Sequence, residues 1–157
     1  MFEIAWTLSE TEWKKAQRAS LEHEAGSQYD RECSAHYYLL YATLSLRSDG
    51  ASLFERDISV SILDIGYQLA RAIFDVERTG RGQFSASDDD IEMSFVLEGE
   101  SVVIAANHVA STLRVPVDEF LAGCRRFLSE IARSLREHAP KLLSWQSIAP
   151  IATYSPS

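Results

Sequence analysis

Two tight-turn signals, each set between apolar runs of β type, constrain this chain most. Ser48-Asp49-Gly50 follows the run His36–Arg47 and precedes Leu53-Phe54-Glu55-Arg56. Glu98-Gly99-Glu100 joins Ile91–Leu97 to Val102–Ala106. Turns built on Asp-Gly or a central Gly reverse the chain within a few residues, so the flanking runs pair antiparallel. A sheet assembled from such hairpins leaves helices to collect on one face.

The rest of the chain supplies those helices. Phe2–Leu8 reads as a first strand. Ser9, with Glu12 three residues later, is a capping-box pattern and starts a helix from Glu10 to about Ala25. Its apolar face is thin (Trp13, Ala16, Leu21), which places it at the edge of the core, and Gly26 stops it. Ser27–Ala35 reads as a loop or a short helical turn. In His36–Arg47, Tyr38, Leu40, Ala42, Leu44 and Leu46 share one face, and Tyr37, Leu39 and Tyr41 the other. A central helix is expected over Ile58–Arg78, with Ile62, Ile65, Leu69 and Ile73 inward and Asp64, Arg71, Asp75 and Glu77 or Arg78 outward. Thr79-Gly80-Arg81-Gly82 ends it. Thr112–Val117 forms a short strand that Pro116 confines to an edge. Asp118 caps a last helix, Glu119 to about His138, striped by Phe120, Leu121, Cys124, Phe127, Leu128, Ile131 and Leu135.

The fold class expected is therefore α+β: two layers, a mainly antiparallel sheet of about five or six strands, helices on one face. A strand pair followed by a helix occurs twice. The 157 residues form one domain, 1–157, with an irregular tail over 140–157 from which Trp145 and Ile148 fold back.

Charge excludes some functions. Fifteen basic against 23 acidic residues leave a net charge of −8, and no basic stripe exists to bind a nucleic-acid backbone. No run of about 18 apolar residues is available to span a membrane. Met1–Ser9 lacks the basic start and apolar length of a signal peptide, and Cys33 and Cys124 show no metal spacing. The location expected is cytoplasmic.

No glycine-rich phosphate loop, nucleophile elbow, HExxH pair or CxxC motif is present. No cofactor and no metal are expected. Gly80-Arg81-Gly82 follows a helix rather than preceding one, the wrong polarity for an anion. His108 has no nucleophile or orienting acid beside it in sequence, and His23, His36 and His138 are isolated. Cys124 reads as a small buried hydrophobe, whereas Cys33 lies in a polar stretch near Arg31.

What stands out is the acidic hairpin Ser85–Glu100. It carries Asp88, Asp89, Asp90, Glu92, Glu98 and Glu100 and no Lys or Arg. Three readings are open. It is a solvated loop that keeps a sheet edge unpaired, a surface for a basic partner, or a metal site, the last opposed by the contiguity of Asp88–Asp90.

Over roughly Tyr37–Leu135 the layout and charge resemble immunity proteins of bacterial polymorphic-toxin and contact-dependent inhibition systems. The features concerned are the Asp49-Gly50 hairpin, Leu53-Phe54-Glu55-Arg56, the Ile62–Ile73 helix and the Glu98-Gly99-Glu100 hairpin. The resemblance implies a non-enzymatic protein that covers a basic, nuclease-like toxin. Asp88, Asp89, Asp90, Glu92, Glu98 and Glu100 would then stand in for nucleic-acid phosphates. Two alternatives stand beside it. One is a secretion-type chaperone, homodimeric, with a groove near Tyr37 and Tyr41. The other is an enzyme or small-ligand binder with a dispersed site around His108 or Cys33. A monomer and a homodimer both remain open.

Overall fold

The computed structural model describes residues 1–21, 39–86 and 90–154. Among these residues, eight strands and four helices make an α+β fold in which every strand pair is antiparallel. The strands divide between two sheets. In the first, β1 (Phe2–Thr7) and the interrupted pair β3 (Ala51–Ser52) and β4 (Ile58–Ser61) flank β2 (Tyr41–Ser48). The second runs in order β5 (Arg81–Ser85), β6 (Glu92–Glu98), β7 (Ser101–Ala106), β8 (Leu113–Pro116).

The Asp49-Gly50 turn forms as expected. Both residues have positive φ, 48° and 82°, the requirement of a type I′ hairpin. The return strand differs from expectation: it pairs at Ala51–Ser52, the Leu53 N–H still donates to the Leu46 carbonyl at 3.0 Å, and Phe54–Arg56 leave the ladder. Leu53 and Phe54 instead bury their side chains, and the Ser111 hydroxyl donates to the Leu53 carbonyl at 3.0 Å. Pairing resumes at Ile58.

That resumption corrects the start of the central helix. Ile58–Ser61 is a strand registered on Tyr41–Leu44, and helix α2 covers Ile62–Thr79. Ile58-Ser59-Val60-Ser61 alternates apolar and polar with period two, a strand signature that the helical repeat beginning at Ile62 overran. Asp64 also departs from expectation: it is 7% exposed and accepts from Gln68 Nε2 at 3.1 Å. Gly80, at φ 74°, ends α2 in the left-handed cap. Beyond that cap the chain enters β5 directly, a strand that the sequence reading did not place.

Helix α1 (Glu10–Leu21) starts at the capping box: the Glu12 N–H donates to Ser9 Oγ at 3.3 Å. The Glu12 carboxylate turns to the Tyr41 N–H and Lys15 Nζ. Residues 22–38, including His23, Cys33, His36, Tyr37 and Tyr38 and the end expected for α1, lie outside the described residues. Leu40 is fully buried with φ 56°, so β2 begins at Tyr41.

Helix α3 (Val117–His138) starts directly from β8, with Pro116 at the cap and Asp118 inside the first turn rather than capping it. Its stripe is buried as read, except that Leu121 is half-buried. Phe120 joins the sheets, with ring centroids 5.7 Å from Phe2 and 5.4 Å from Phe95. Truncating such a side chain to alanine costs about 3–5 kcal/mol. Beyond Pro140 the chain is more regular than an irregular tail. Two 3₁₀ turns (Pro140–Ser144, Gln146–Ile148) and helix α4 (Ala149–Ala152) bury Leu142, Ile148 and Ile151. Ile151 reaches Gly66 of α2, where an added Cβ would stand 2.8 Å from its Cδ1. Among the described residues no helix is long and apolar enough to cross a membrane.

Candidate functional site: the outer face of the second sheet

Strands β6 and β7 pair from Met93↔Ala106 to Glu98↔Ser101, closed by a turn with Gly99 at φ 64°. Alternation along the strands sorts their side chains. Phe84, Met93, Phe95, Val102, Ile104, Leu113 and Val115 point inward and are buried. The partners on the other side are exposed or half-exposed along all four strands. In the middle of that outer face, Val96 opposes Val103. Around it stand Arg81, Glu92, Glu98 and Arg114.

The structure separates the acidic residues that are near one another in sequence. Glu92 and Glu98 share the outer face but sit at opposite ends of β6. Six residues at about 3.3 Å each put them roughly 20 Å apart. Glu98 accepts from Arg114 Nη2 at 2.6 Å, and Glu100 is exposed in the turn next to it. Asp90 lies at the far end with Glu92, and Asp88 and Asp89 lie outside the described residues.

Asn107 organises the Asp90 end. Its Oδ1 accepts the Glu92 N–H at 2.7 Å, its Nδ2 donates to the Asp90 carbonyl at 2.8 Å, and its own N–H donates to the Glu92 carbonyl at 2.9 Å. His108 comes next, with φ 58°, and its Nε2 lies 3.0 Å from Asp90 Oδ2. An acid does therefore stand beside His108, contrary to the sequence reading. The side chains are 72% and 88% exposed, so solvent screens the pair. Among the described residues no hydroxyl or thiol bonds to His108, and no three His, Cys, Asp or Glu side chains gather as a metal would require.

Cys124 is buried, and burial raises its thiol pKa, so it is not poised as a nucleophile. A cleft of about 210 Å³ lies between β1 and α3, lined by Glu3, Trp6, Arg126, Phe127 and Glu130 among others. Sequence reading missed Val96, Val103, Asn107 and Arg114. The signal for the two valines was the period-two alternation with Met93 and Phe95. Arg114 and Asn107 could not be found that way, because each acts on a residue at least fifteen positions away.

No family model matches the chain, and neither a curated protein nor a solved structure resembles it.

Proposed function

We propose that this chain is a protein-binding module whose outer face on β5–β8 receives a basic partner, in the manner of an immunity-type inhibitor that covers a nuclease-like toxin. One observation carries the reading. A four-stranded face is left open to solvent around the Val96–Val103 pair, with carboxylates at both ends. An apolar centre inside a charged rim is the anatomy of a protein interface. Asp90, Glu92, Glu98 and Glu100 outnumber Arg81 and Arg114 on and beside it, which favours a partner of positive charge. The pleated sheet fixes the backbone from which Glu92 and Glu98 project, so binding need order only their side chains.

The test compares capture by the tagged chain and by a Glu92→Lys, Glu98→Lys, Glu100→Lys variant, from lysate of the cells it comes from. Salt is stepped from about 0.1 M to about 1 M, which shortens the Debye length from about 10 Å to about 3 Å. One basic protein held at equal stoichiometry by the parent chain, released by salt and lost by the variant, is the expected result. Equal capture by both chains, or none by either, removes the reading.

A further inference from the structure

Helix α2 buries Ile62, Ile65, Leu69 and Ile73, and its solvent side carries Tyr67, Arg71, Phe74 and Arg78. Spacings of four, three and four put these side chains in one straight stripe. Phe74 is 59% exposed, with the Arg78 guanidinium 5.5 Å from its ring centroid. Among the described residues Arg71 and Arg78 make no ion pair, nor do Arg56, Arg81, Arg126 and Arg133, but only the α2 pair flanks an exposed aromatic ring. In a chain of net charge −8, two arginines flanking an exposed phenylalanine have the composition of an interface centre, where Arg and aromatic residues are enriched.

The stripe is complementary to itself. Laid antiparallel on a second copy about a two-fold axis at Ala72–Ile73, Arg71 meets Phe74 of the other helix and Arg78 meets Tyr67. Each of the four contacts brings a guanidinium to an aromatic ring. Asp75, half-buried one position past Phe74, comes beside the Arg71 of the other copy and supplies the carboxylate that residue lacks. A two-fold interface requires this kind of match, in which one patch serves both sides.

We propose that two copies of this chain pair through the Tyr67–Arg78 face of α2, antiparallel. One helix pair covers less than the roughly 800 Å² per partner of a standard interface, so the dimer is weak and depends on concentration. The stripe lies on the solvent side of the helix layer, away from the outer face of β5–β8. A dimer therefore presents that sheet face twice.

Sedimentation equilibrium from micromolar to millimolar protein tests this, with Phe74→Glu and Phe74→Trp alongside. Position 74 is exposed, so neither substitution disturbs the core, and a thermal melt checks that. The mean mass of the parent chain is expected to climb from 17.6 kDa toward twice that value. Phe74→Glu is expected to stay monomeric, and Phe74→Trp, the better cation–π acceptor, to dimerise at least as well as the parent. A parent chain monomeric throughout, a dimer indifferent to Phe74→Glu, or a dimer lost in Phe74→Trp would each overturn the proposal.

Discussion

Gln68 hydrogen-bonds both backbone groups of Ser85: its Oε1 accepts the Ser85 N–H at 2.9 Å, and its Nε2 donates to the Ser85 carbonyl. The side-chain amide takes the place a neighbouring strand would occupy, closing the free edge of β5 where it leaves the sheet. Nε2 also reaches the buried Asp64 at 3.1 Å. Gln68→Ala leaves both Ser85 groups to water and is expected to cost about 1 kcal/mol. Gln68→Glu should cost more at neutral pH, because it sets a second carboxylate against Asp64 and the Ser85 carbonyl, and should recover as the pH falls below the carboxylate range. Thermal melts at pH 7 and in acid check the order; equal midpoints for the two variants would dismiss the edge-closing role.

Gly123 of α3 permits the approach of β1. A Cβ there would stand 2.7 Å from Phe2 Cδ1 and 3.0 Å from the Phe2 carbonyl. The Phe2 ring is fully buried against Phe120 and cannot swing away. Alanine in a helix interior normally gains about 1 kcal/mol over glycine. Here overpacking outweighs that gain, and Gly123→Ala is expected to lower stability by about 1–3 kcal/mol. A urea midpoint at or above that of the parent chain would contradict the packing account.

The thiol of Cys124 titrates differently in the two states. Burial raises it on folding from an ordinary value of 9.0, against a small opposing effect of Arg125. The native state therefore keeps its proton where the unfolded chain loses it, and stability falls as pH rises past the unfolded value. This group contributes no pH dependence below about pH 8 and a loss of about 1.4 kcal/mol by pH 10. Tyr154, also raised by burial, adds to the decline only at higher pH. Cys124→Ala should flatten the alkaline slope while lowering stability at neutral pH. Urea unfolding at pH 8 and pH 10 reads the difference, and an unchanged slope would refute it.

Asn107 holds the open end of the β6–β7 hairpin by its side chain. Asn107→Ala removes the acceptor of the Glu92 N–H and the donor to the Asp90 carbonyl. Amide exchange at Glu92 is expected to accelerate, with a loss of about 1 kcal/mol. Exchange at Ser101, paired with Glu98 beside the turn, should not change. Acceleration along the whole hairpin would show that Asn107 supports more than its end.

The parts that could be read in advance are those that near neighbours dictate. The Asp49-Gly50 and Gly99 turns, the Gly80 stop and the apolar stripes of α2 and α3 each depend on residues within a turn or two of one another. Turn conformation and amphipathic spacing are local properties, and the α+β class comes from them.

Long-range pairing set the remainder. β5 buries one large side chain, Phe84, so its alternation is too faint to mark a strand until β6 lies beside it. Ile58–Ser61 is a strand because Tyr41–Leu44 supplies its hydrogen-bond partners. Asp64 is buried by its packed surroundings, not by its place on a helical wheel. The acidic run reads as one cluster because its residues adjoin in sequence. The extended backbone of β6 carries its two ends about 20 Å apart and brings Arg114 to one of them, His108 to the other. Backbone reach and burial belong to the assembled chain, and these choices were settled only when the strands met.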